Sequence, residues 1–89
     1  MSNCYTLICE YRSGTYIAQV GANSPHDAVL AWLKLRSVHK YIPTEARSLI
    51  KANLKDDPPV TIADTKNVWC HATSARGGLV LINLVLTRS

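Results

Sequence analysis

The sequence predicts an α+β fold: a two-layer sandwich in which an antiparallel sheet of four or five strands carries two helices on one face. Three observations predict it. Strand-forming runs bounded by turn residues stand at both ends of the chain. Both helical patterns fall between them. The final run, Gly77 to Arg88, is apolar at nearly every position. Terminal hairpins with helices between them favour an antiparallel sheet with its helices on one side. The order is ββααβββ or ββααββ, depending on whether one short run pairs.

The first strand is Cys4–Tyr11, rich in strand formers. Arg12-Ser13-Gly14 reads as a turn, with Gly14 free to take a positive φ. Thr15–Ala22 is the second strand and completes a hairpin. Ser24 is then a good helix N-cap, Pro25 suits the first helical position, and Asp27 answers the exposed amides. The helix runs on through Arg36. Ala28, Trp32 and Leu35 share one face, with Val29 and Leu33 beside them, so it is buried on several sides. A second helix starts near Thr44, after Pro43, and reaches about Leu54. Ala46, Leu49, Ile50 and Leu54 form its inner face. Asp56-Asp57-Pro58-Pro59 stops it, because two prolines cannot continue a helix. Val60–Ala63 is a short edge strand and Asp64–Asn67 a turn. The last hairpin is Val68–Thr73, a loop over Ser74–Gly78, then the strand from Leu79.

With 89 residues the chain is expected to form one domain over residues 1–89. A domain of this size buries only ~60–65% of the surface its unfolded chain exposes, so association helps it. Charged residues are sparse at 18%, consistent with surface hidden in an assembly. No run approaches ~18 consecutive apolar residues, so no membrane span is expected. Met1-Ser2-Asn3 has no basic start, and Tyr5–Cys9 is too short and polar for an export core. Three cysteines are an odd number, and Cys4 and Cys9 face opposite ways on one strand, so they cannot pair there. Reduced thiols in the cytosol are the expectation.

The residues that carry chemistry form no legible catalytic or metal motif. Cys4, Cys9, Cys70, His26, His39 and His71 lack the spacing of a zinc site, and no cofactor is expected. Cys70 and His71 are neighbours on a strand and point apart. A small cysteine/histidine-dependent enzyme using them is one alternative, but nothing marks an activating base. Ser74–Gly78 lacks the spacing of a phosphate loop and is not followed by a helix.

Two surfaces remain. Net charge is +4, and Arg36, Lys40, Arg47, Lys51 and Lys55 concentrate on the helical segment. Arg47, Lys51 and Lys55 recur every four residues and share a helix face. A nucleic-acid-binding regulator is therefore the second reading, with Tyr5, Tyr11 and Tyr16 offering stacking on the open sheet face. The leading reading comes from the last strand. Val80, Ile82, Leu84 and Leu86 face one way; Leu79, Leu81 and Val85 face the other, with Asn83 among them. A sheet with helices on one side covers only the first set. Leaving Leu79, Leu81 and Val85 in water forfeits ~5–8 kcal/mol of burial. That is comparable to the whole stability of a small domain, ~5–15 kcal/mol. The expected function is a non-enzymatic, homodimeric interaction or regulatory module. It binds through Leu79, Leu81 and Val85, with Trp69 contributing if it shares that face.

Overall fold

The computed structural model describes residues 2–75 and 78–89, the side chain of Ala75 excepted. β1 (Asn3–Tyr11) and β2 (Gly14–Ala22) form a hairpin closed by Arg12 and Ser13. Both turn residues have positive φ, 48° and 64°, as a two-residue type I′ connection requires. The left-handed position expected at Gly14 thus falls one and two residues earlier. A Cβ at Gly14 would meet the far end of the Tyr16 side chain, so a larger residue there requires that ring to move.

α1 (Pro25–Leu33) begins as its sequence dictates, with Ser24 Oγ accepting a hydrogen bond from the Asp27 amide at 3.1 Å. It does not run through Arg36. The chain turns extended at Leu35 and starts a separate six-residue helix, α2 (Arg36–Tyr41). Its N-cap Leu35 makes no side-chain cap. Tertiary contacts hold it instead: Val38 and Ile42 are buried, and His39 Nε2 donates to the Leu33 carbonyl at 2.9 Å. α3 (Thr44–Asn53) follows Pro43. The helical layer therefore has three members rather than two. β3 (Val60–Thr61), β4 (Val68–Ala75) and β5 (Gly78–Arg88) complete the chain. The connection through Arg76 and Gly77, where the candidate phosphate loop would lie, falls outside the described residues.

The strands form one antiparallel sheet in the order β2-β1-β5-β4-β3. The helices pack against one face, so the architecture is the expected two-layer α+β sandwich with five strands. Alternation divides every strand. Tyr5, Leu7, Cys9 and Tyr11 of β1, Val20 and Ala22 of β2, and Val80, Ile82 and Leu84 of β5 are buried beneath the helices. They meet Ala28, Val29 and Trp32 of α1 and Ala46 and Ile50 of α3 in one core. Leu49 departs from the expectation and is 40% exposed. It stands about 100° round the helix from the centre of the Ala46–Ile50–Leu54 stripe, at the boundary of the buried face.

One buried group makes the core sensitive to acid. His71 is 2% exposed and shares a 2.9 Å hydrogen bond with Thr73 Oγ1 through Nε2, while Nδ1 has no hydrogen-bond partner. Burial pushes its pKa below the usual 6.5; the Asp57 backbone and carboxylate oppose this without closing a normal bond to Nδ1. The unfolded chain therefore takes up a proton at a higher pH than the folded one. The stability from keeping His71 neutral is complete above about pH 6.5 and is lost as pH falls through the interval below it. The urea midpoint should drop between about pH 7.5 and pH 5.5, and His71→Gln, which keeps a partner for Thr73, should shrink that drop. Equal drops in both proteins would contradict this role.

Candidate interaction surface

Among the described residues no helix packs on the second face of the sheet. Strand register orders its side chains into rows. The central row runs Ile17, Ile8, Asn83, Cys70, Val60 across all five strands. To one side lies Gln19, Thr6, Val85, Val68; to the other, Thr15, Glu10, Leu81, Ala72. Leu79 stands beyond, opposite Ser74. Among the described residues six large apolar side chains are exposed: Ile17 at 68%, Val60 at 62%, Leu79 at 57%, Tyr41, Leu49 and Ile62. Four of these, Ile17, Val60, Leu79 and Ile62, belong to strand positions of this face or its immediate continuation. Leu81, Val85, Ile8, Val68 and Cys70 are half-buried between them.

Polar groups border the patch. Gln19 Nε2 donates to Thr6 Oγ1 at 3.0 Å, and the Thr6 hydroxyl is hydrogen-bonded to that of Thr87. This ladder closes one end of the face. Thr15 of β2 and Glu10 of β1 stand at the other end. Asn83 is the one amide near the middle, between Ile8 and Cys70. An apolar centre with a polar rim is the usual layout of a contact surface.

Leu79, Leu81 and Val85 thus lie together on the open face, as their alternation requires. Trp69 does not join them. It pairs with Leu84, whose side chain is buried, and it packs against the core with its ring 5.9 Å from that of Tyr5. Its parity is that of His71, set by the β4–β5 register, which local sequence does not encode. For the same reason Tyr5, Tyr11 and Tyr16 all point to the helix side and offer no stacking platform on the open face. Strand parity also separates Cys70, half-buried on the open face, from His71, buried on the other.

The basic residues lie on the opposite side of the molecule. Arg36 and Lys40 are exposed on α2, and Lys51 and Lys55 are exposed on and just past α3. Arg47 is committed internally: Nη1 donates to the Ile42 carbonyl at 2.7 Å and Nη2 to Thr44 Oγ1 at 3.1 Å. It fastens the α2–α3 link. With Lys34 and Lys51 it also borders a shallow groove of about 210 Å³ between α1 and α3. The five cations are thus spread over two helices, and one of them is tied to the chain itself.

Among the described residues no three His, Cys, Asp or Glu side chains converge as a metal site, and no helix is long and apolar enough to cross a membrane. No family model, no curated protein and no solved structure matches this chain. The surface itself is therefore the guide to function.

The thiols on the two faces differ. Burial, then the neighbouring Glu10 carboxylate, pushes the Cys9 thiol up to about 12. Cys9 is 0% exposed, and near neutral pH it is a protonated core side chain. Iodoacetamide should leave Cys9 unmodified in the native protein and modify it only after denaturation, as read by peptide mass spectrometry. Rapid native modification of Cys9 would contradict its placement.

Proposed function

We propose that this chain is a non-enzymatic interaction module that associates with a second copy of itself through the open sheet face, in the cytosol. The observation that carries the reading is the apolar patch of Ile8, Ile17, Leu79, Leu81 and Val85 on a face that none of the described helices covers. Left in water, such a patch is an aggregation liability. Covered by its own copy, it contributes burial that a domain of this size otherwise lacks.

Area supports the reading. Five strands ~4.8 Å apart and eight or so residues at ~3.3 Å each span a plane of roughly 600 Å². Side-chain relief raises the accessible area above that figure. Standard interfaces bury about 800 Å² on each partner. In plan the open face thus reaches the lower end of the usual range, about 600–1,000 Å² on each partner. Asn83 supplies specificity: an amide set into an apolar centre favours the registers that satisfy it and penalises the rest.

Light scattering at micromolar concentration should give at least twice the mass of one chain. Leu81→Lys should lower that mass while leaving the circular dichroism spectrum unchanged. Position 81 lies opposite Glu10, so the monomer accommodates the new ammonium group beside a carboxylate. A wild-type protein that is monomeric throughout, or a Leu81→Lys variant that keeps the wild-type mass, would overturn the reading. As a comparison, Leu84→Ala on the covered face of the same strand should cost about 2–5 kcal/mol of folding stability.

A further inference from the structure

The sheet has two edges, and they are treated differently. β3 is two residues long and follows Pro58-Pro59. Short edge strands and prolines are the standard ways of preventing an edge from pairing with another chain. β2 has neither. It is nine residues, Gly14-Thr15-Tyr16-Ile17-Ala18-Gln19-Val20-Gly21-Ala22, without a charge, a proline or a bulge against β1. Among the described residues no strand pairs with its outer side.

The hairpin fixes which backbone groups face out. In a two-residue turn the flanking pair, here Tyr11 and Gly14, is hydrogen-bonded, and bonded pairs then alternate. Tyr16, Ala18 and Val20 therefore spend their N–H and C=O groups on β1. Thr15, Ile17 and Gln19 direct theirs outward. Beside this edge, on the helix side, lies an open cleft of about 310 Å³ bordered by Tyr16, Ala18, Trp32, Val38 and Tyr41. Tyr16 and Tyr41 stack there with centroids 4.3 Å apart. Alternate side chains of any strand added to β2 would lie on the same side of the sheet as that cleft.

We infer that the β2 edge pairs antiparallel with β2 of a second copy, centred on Ile17 opposite Ile17. The strand is self-complementary about that residue. On the open face Thr15 meets Gln19 on both sides of the isoleucine pair. On the helix side the large Tyr16 meets the small Ala18, and Gly14 meets Val20. The three outward-facing residues of each copy exchange about six backbone hydrogen bonds. The two-fold axis stands normal to the sheet, so both helical layers lie on one side and both open faces on the other. Two five-stranded sheets become one of ten strands, and the apolar face doubles in width. This contact uses the outward backbone groups of β2 rather than the open-face side chains, shares Ile17 with the face association proposed above, and stands without it.

Proline at position 17 removes one outward N–H and no bond to β1. Ile17 also belongs to the open-face patch, so the edge is read with that face already blocked: sedimentation compares Leu81→Lys with the double variant Leu81→Lys/Ile17→Pro over micromolar to millimolar concentration. Ile17→Pro should halve the mass that remains in the Leu81→Lys background. Ile17→Cys provides a test that does not depend on the folding of the proline variant. In the proposed register the two α-carbons lie about 5.5 Å apart, within disulfide reach. Oxidised glutathione should then join position 17 of one copy to position 17 of the other, as mapped by mass spectrometry. A double variant that folds and keeps the mass of Leu81→Lys, or an Ile17→Cys variant that gives no 17-to-17 link, would overturn the edge pairing and leave the open-face reading to its own variant.

Discussion

The fold depends on β5 being paired on both sides. It is the middle strand, bonded to β1 along one edge and to β4 along the other. Without it the molecule is two separate ribbons, a β1–β2 hairpin and a β3–β4 pair, neither wide enough to support the helices. A strand in that position needs continuous apolar character beneath the helices, and Val80, Ile82 and Leu84 supply it at 0% exposure. The same strand is also apolar on its other side, where the fold provides no second layer. The structural requirement on one face and the open question on the other arise from one run of residues.

Much of this was legible locally. Alternation in β5 by itself assigns Leu79, Leu81, Asn83 and Val85 to one face. Ser24, Pro25 and Asp27 marked the start of α1, because capping is a matter of adjacent residues. The two-helix count failed at α2, which has no cap signal and is held by Val38, Ile42 and the His39–Leu33 bond, all of them tertiary. The turn residue was misplaced for a related reason. Arg12 and Ser13 accept left-handed backbone because the hairpin register demands it, while Gly14 has its φ outside that region and lies under the tip of the Tyr16 side chain.

What local sequence does not encode is the pairing between distant strands. β1 and β5 lie at opposite ends of the chain, and their register decides which side chains share a row. That register joins Ile17, Ile8, Asn83, Cys70 and Val60 in a single line across the sheet. It extends the expected patch of three residues into a surface spanning five strands. It also removes Trp69 from that surface, since its parity follows from Leu84 opposite. Ile8 and Ile17 were the missed members; the apolar-next-to-polar alternation in β1 and β2 was the available signal.

The central claim is that the helix-free face is covered in the working protein by another copy of the chain. Methyl-selective relaxation by a soluble gadolinium chelate tests it most directly, because it reads solvent access at single side chains. The account predicts that the methyls of Ile8, Leu81 and Val85 lose access to the chelate as concentration rises, while Leu49 on α3 keeps its access. Equal access at Leu81 and Leu49 from the lowest to the highest concentration would contradict it.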